Sequence, residues 1–308
     1  MPTRRHALKT LLAGAAALSA APLPAIASAK AGLYPQPSTS PAEGTKAGLN
    51  PQPFRKGNIR HSVCRWCFDP MPLDELCAAA KKLGLSAIDL IGPKDWDTLK
   101  KHGLDSSMCN GAEINLVDGW NNPKFHEQLL KNYTEMIPKV AQAGYRNLIC
   151  FSGNRRGMDD LVGMRNCAQG LRQLMPLAEK HGVTLSMELF NTKTDHPDYM
   201  CDSSLWGIAL CDMVGSERFK LLYDIYHMQI NEGNVIQTIR NYHPYFAHYH
   251  TAGVPGRHEI GDNQELNYPA IMRAIVETGF KGYVAQEFIP TAKEPLTSLA
   301  QAIDICDV

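Results

Sequence analysis

Short apolar runs alternate with longer segments in which apolar residues recur every three or four positions, and the alternation begins abruptly at Ile59. "IRHSVCRW" precedes "PLDELCAAAKKLG", "SAIDLIG" precedes "DWDTLKKHG", and "LDSSMCN" precedes "PKFHEQLLKNYTEMIPKVAQAG". The order continues through "RNLICFSG" with a helix over 159–181, "VTLSMELF" with a helix over 202–214, and "FKLLYDIYH" with "VIQTIRNY". It closes on "YFAHYHTAG" with "YPAIMRAIVETG" and on "GYVAQEF" with "PLTSLAQAI". The short runs read as strands and the periodic segments as amphipathic helices. Gly84, Gly103, Gly144, Gly182 and Gly279 stand where helices should end, since glycine takes the left-handed C-cap conformation freely. The strands read as apolar on both faces, as parallel strands covered by helices must be.

Residues 59–308 hold eight such βα units in 250 residues. A (β/α)8 TIM barrel takes about 250 residues, roughly 31 per unit, so the predicted fold class is α/β, a closed eight-stranded barrel. A doubly wound open sheet fits less well. No G-x-G-x-x-G follows a strand, and no Gly-Lys dipeptide exists to build a P-loop.

Two segments precede the barrel. Residues 1–29 carry paired arginines, Arg4 and Arg5, then an uncharged Ala/Leu-rich stretch ending in "AIASA". This resembles a twin-arginine export signal, which implies a periplasmic or secreted protein that meets the membrane only in transit. A retained anchor fits poorly with Pro22, Pro24 and the excess of alanine over leucine. Residues 30–58 form a Pro/Gly-rich linker in which "KAGLYPQP" at 30–37 recurs as "KAGLNPQP" at 46–53, a composition too poor in apolar residues to bury a core.

The formal net charge is zero, and loss of Arg4, Arg5 and Lys9 with the leader leaves 28 basic against 31 acidic residues. A mildly acidic chain offers no surface for nucleic acid. The nine cysteines are scattered, with Cys64-x-x-Cys67 the one close pair, so they read as small buried apolar residues more than as a disulfide scaffold or zinc site.

In a barrel, chemistry sits at the C-terminal ends of the strands. The last four strands end on Glu188, Asp224, His250 and Glu287, at spacings of 36, 26 and 37 residues, each about one βα unit. His248 shares the alternating face of His250. Three carboxylates buried together need a neutralising cation. Three oxygens and an imidazole suit Mg²⁺, Mn²⁺ or Co²⁺. Any one of these residues alone would read as a solvated loop group. Four on consecutive strand ends read as a metal site.

"YDIYHMQINEGN", "HTAGVPGRHEIGDNQELNYPAI" and "GYVAQEF" strongly resemble the hydroxypyruvate isomerase family of xylose isomerase-like TIM barrels, over residues 59 to about 300. The resemblance implies a divalent-metal isomerase of the aldose–ketose type, with Glu188, Asp224, His250 and Glu287 as ligands. It makes Glu188 and Glu287 the catalytic acid/base pair, and it places His227 and Arg257 in the substrate pocket. Asn191 and His248 join them as substrate-binding candidates. Taken alone, His227 also fits a structural histidine, and Arg257 a loop residue paired with Glu259. Arg155 and Arg156 are expected to lend weak positive charge over the site.

Two departures leave the substrate open between a 2-oxo acid and a keto sugar. His250 stands where many hydroxypyruvate isomerases have Gln and the related ketose 3-epimerases have His, and Glu188-Leu189-Phe190-Asn191 replaces Glu-Pro-hydrophobic-Asn. An exported 3-epimerase or sugar isomerase and a non-catalytic sugar-acid-binding barrel are the alternative readings. A phosphodiesterase of the endonuclease IV kind would need more histidines and a basic face. The sequence leaves the oligomeric state open.

Overall fold

The computed structural model describes residues 55–308. The expected leader over 1–29 and the repeat within the linker lie outside the described residues. The last residues of the expected linker are described and dock on the chain's end: the Lys56 backbone N–H donates to the Asp307 carboxylate and Asn58 Nδ2 to the Val308 carbonyl.

Eight strands run parallel: β1 (Arg60–Cys64), β2 (Ala87–Asp89), β3 (Asp105–Ser106), β4 (Asn147–Cys150), β5 (Thr184–Glu188), β6 (Phe219–Asp224), β7 (Phe246–Thr251) and β8 (Tyr283–Gln286). They are hydrogen-bonded in the order β3-β2-β1-β8-β7-β6-β5-β4. The two ends of this curled sheet meet through Cys109, whose N–H donates to Asn147 and whose carbonyl accepts from Ile149. That junction closes the barrel the sequence predicts. The third strand is shorter than "LDSSMCN" suggests, because only one residue beyond it reaches the fourth.

Helices α1 (Leu73–Lys82), α2 (Trp96–Lys101), α3 (His126–Gln142), α4 (Asp160–Arg172), α5 (Met175–His181), α6 (Ser204–Val214), α7 (Ile225–Asn231), α8 (Val235–Tyr242), α9 (Tyr268–Glu277) and α10 (Pro295–Cys306) cover the strands. The single helix expected over 159–181 is two. Pro176 lies in the first turn of α5, where its missing N–H costs nothing, and it cannot continue α4. The strand expected to run through His227 stops at Asp224, because the Asp224 side chain caps α7 at once.

The barrel interior departs from the expected apolar strands. Asp89 on β2 lies 2.9 Å from His248 on β7, yet β1 and β8 separate those strands in the sheet, so the contact crosses the lumen. Ser62 and Ser107 hydrogen-bond beside it at 2.6 Å. The lumen is therefore a buried polar column rising to the C-terminal mouth.

Loops at that mouth pack backbone on backbone. The N–H groups of Trp120 and Asn121 donate to the Phe151 and Ser152 carbonyls. A Cβ on Gly119 would come within 2.4 Å of Gly153 N, so only glycine permits this approach.

Candidate active site

Asp224 answers why a buried strand should end on a carboxylate with a histidine three residues on. Its Oδ1 accepts from the N–H groups of Tyr226 (2.8 Å) and His227 (3.2 Å), an N-cap that starts α7 at the strand's last residue. Its Oδ2 is buried with no hydrogen-bond partner and faces the mouth of the barrel. One oxygen holds the fold and the other is left for chemistry.

Glu188 ends β5, His250 lies near the end of β7, and Glu287 follows β8. All four residues are at most 3% exposed, and each offers one ligand atom such that the four atoms lie within 4.8 Å of one another. His250 Nδ1 sits 2.9 Å from Glu287 Oε2 and 3.2 Å from Glu188 Oε1. Its Nε2 turns the other way, 3.0 Å from Asp89 Oδ1. Glu188 Oε1, like Asp224 Oδ2, has no hydrogen-bond partner.

Burial pushes the Glu188 and Asp224 carboxyls up, with Glu287 adding its repulsion. Burial would raise Glu287 too, but Arg257 and His250 hold it well below the usual range. Asp89 is likewise held low against its burial by His248 and His250. Among the described residues Arg257 is the one guanidinium around this cluster of acids, with Nη2 2.5 Å from Glu287 Oε2 and 3.6 Å from Asp224 Oδ2. Two orphaned, buried carboxylate oxygens beside an imidazole nitrogen fit a divalent cation with hard oxygen ligands. His250 would offer Nδ1, and Asp89 would orient the ring from behind.

Arg257 is clamped rather than free. Its guanidinium carbon lies 5.2 Å from the Trp66 ring and 5.4 Å from the Tyr226 ring, and Trp66 Nε1 donates to Glu287 Oε1 at 2.9 Å. Its backbone is left-handed, at φ 59°. Its carbonyl accepts from Ile289 N, which ties the loop after β7 to the loop after β8. Pairing with Glu259 does not occur, because Glu259 accepts instead from Thr291 N (2.7 Å), Thr291 Oγ1 and Ser298 Oγ. Partial burial pushes the Glu259 carboxyl up, but these donors outweigh it and hold it at about 2.

A depressed carboxyl stabilises the fold above its ordinary value and loses that contribution as pH falls toward its folded value. Glu259→Gln is therefore expected to cost about 1 kcal/mol at pH 7, after discounting for exposure. Urea unfolding should show the gap from the parent chain closing between about pH 5 and pH 2. A gap that holds constant across that range would place the role of Glu259 elsewhere.

His227 is fully buried, and its tautomer follows from its neighbours. Asn191 Oδ1 accepts from Thr194 N, Asp195 N and Thr194 Oγ1, so its amide nitrogen faces His227 Nδ1 at 2.7 Å. Nδ1 is then the acceptor and Nε2 carries the hydrogen. Nε2 points toward Asp224 Oδ2 at 3.6 Å with no hydrogen-bond partner. Burial, then Arg257, pushes His227 well below its usual value and keeps it neutral.

Of the substrate-binding candidates, Arg257 lines a cavity of about 550 Å³ above the acids, together with Glu188 and Glu287. His227 does not line it: it is fully buried, with Asn191 behind it at 2.7 Å. His248 is fully buried in the lumen against Asp89 and does not line the cavity. The charge expected from Arg155 and Arg156 is spent elsewhere: Arg155 binds Asp160 and Asp202, and Arg156 binds Asp118. Asp89 and Trp66 lie outside the four consecutive strand ends that mark the site in the sequence pattern, and Cys64, expected as a buried apolar residue, is buried with its Sγ 3.8 Å from His250 Nε2. All nine cysteines are free, and burial raises the Cys64 and Cys67 thiols, so neither is poised for redox chemistry.

The model of the xylose isomerase-like TIM barrel family matches residues 77–306. The chain belongs to that family. It is 37% identical over 115 residues to a 2-oxo-tetronate isomerase of Cupriavidus necator, a match covering 37% of this chain and 44% of that protein. It is 26% identical over 222 residues to hydroxypyruvate isomerase of Escherichia coli, covering 68% and 85%. The chain thus spans under half the length of the first relative. Among solved structures, an AP endonuclease of family 2 from Brucella melitensis superposes with a TM-score of 0.71 at 24% identity, covering 79% of this chain and 97% of that one. That likeness speaks to the fold.

Proposed function

We propose that this chain is a metal-assisted isomerase that moves a hydrogen between adjacent carbons of an α-hydroxycarbonyl compound, through an enediolate. The carrying observation is the convergence of Glu188, Asp224, His250 and Glu287 within 4.8 Å, with two buried carboxylate oxygens unpartnered. The relatives named for isomerising hydroxypyruvate and 2-oxo-tetronate support the same class of reaction.

A divalent ion of the Mg²⁺, Mn²⁺ or Co²⁺ kind, held by those four side chains, supplies polarisation of the carbonyl and charge to offset the enediolate. Glu188 and Glu287 lie side by side on the cavity floor, where one takes the proton from carbon and the other, or the same one, returns it. The Arg257 guanidinium faces the developing oxyanion. His227, neutral with its hydrogen on Nε2, lies buried against Asp224 below the cavity and helps hold that carboxylate in place. The Arg4-Arg5 leader would place this activity outside the cytoplasm.

The test is hydrogen exchange. Protein loaded with Mg²⁺ and incubated in D₂O should place deuterium next to the carbonyl of its substrate, and protein stripped by a chelator should not. Exchange that persists undiminished after stripping overturns the metal-assisted reading.

A further inference from the structure

The cavity over the acids is far larger than the reaction needs. It encloses about 550 Å³, inside the roughly 300–1,000 Å³ of sites that hold drug-sized ligands. A three-carbon acid fills the space of only a few waters, at roughly 30 Å³ each. Such a molecule would sit on Glu188, Glu287 and Arg257 and leave the walls without contact.

Those walls have a definite chemistry. Phe151, Phe190 and His196 line one side in a stack, with ring centroids 5.7 Å apart at 22° and 4.2 Å apart at 16°. Leu90, Ile114 and Leu116 line it as well. Flat apolar walls gain by covering the C–H faces of a sugar ring. Asn110 and Glu113, from the loop after β3, add hydrogen-bonding groups, and Glu113 is half-buried. Among the described residues the one guanidinium or ammonium on the lining is Arg257, already bound to Glu287, so a carboxylate carried away from the reacting carbons meets Glu113 with no such group beside it.

We propose that the substrate is a neutral keto sugar of six or more carbons, whose carbonyl end meets Glu188 and Glu287. The remainder lies on the Phe151–Phe190–His196 wall and hydrogen-bonds to Glu113 and Asn110. This inference rests on the isomerase reading above and narrows its substrate.

Four probes decide it: hydroxypyruvate, erythrulose, fructose and isomaltulose, each followed by mass spectrometry for deuterium uptake with the Mg²⁺-loaded full chain. kcat/KM for fructose or isomaltulose should exceed that for hydroxypyruvate by about tenfold or more. Glu113→Lys should lower the sugar-to-acid ratio by a further tenfold or so, mainly through the KM of the sugar. Glu113→Gln should move it the same way by less. Exchange confined to hydroxypyruvate, or a ratio unmoved by both variants, overturns this inference and leaves the isomerase reading standing. Exchange with none of the four overturns the isomerase reading and this inference with it.

Discussion

Glu287→Gln is expected to lower kcat by about a thousandfold on whichever compound the parent chain turns over, with the thermal midpoint changed far less. The substitution keeps the shape of the side chain, and Trp66 Nε1 can still donate to the amide oxygen. What it removes is the charge that anchors Arg257 at 2.5 Å and that, on the function proposed above, receives a proton from carbon. Both losses act on the transition state, so kcat and kcat/KM should fall together. Glu287→Asp tests the proton-handling role separately. It restores the charge about one methylene too far back, so partial rescue is expected, to within roughly a hundredfold of the parent. A Gln variant that retains a tenth of the parental rate would move the proton to another group, and Glu188 would be the next to examine.

Much of this site was legible because the barrel repeats itself. Glu188, Asp224, His250 and Glu287 each lie at or beside the end of a strand, and the spacing of one βα unit alone aligns them at one rim. The same rule applies to "AID" at 87–89, where β2 also ends on a carboxylate. Asp89 stands apart from the four consecutive strand ends, and its partners, His248 and His250, are on β7. Contacts across a lumen join strands distant in sequence, and no local pattern announces them. Arg257 was legible as a pocket residue through its motif, but its clamp was not. Trp66 comes from the turn after β1, Tyr226 from α7, and Glu287 from the loop after β8, and only the closed fold brings those three together.

The second large effect is expected from Asp89→Asn, which touches no substrate. Asp89 offers Oδ1 to His250 Nε2 at 3.0 Å and Oδ2 to His248 Nε2 at 2.9 Å, and Ser107 Oγ donates to it as well. An amide has one oxygen, so at least one imidazole must face an N–H₂ group. If that imidazole is His250, its Nε2 becomes the acceptor and its hydrogen moves to Nδ1, the nitrogen turned toward Glu188 and Glu287. A hydrogen there occupies the lone pair that a cation needs. Affinity for Mn²⁺, measured by titrating chelator-stripped protein in a calorimeter, should fall by about 10- to 100-fold. Removing one charge from a buried cluster should also cost about 3 kcal/mol of stability, read from urea unfolding of the stripped protein. The two readouts separate the roles of the carboxylate. A stability loss with unchanged Mn²⁺ affinity would make Asp89 a packing device of the lumen, whereas the paired loss marks it as the group that aims His250.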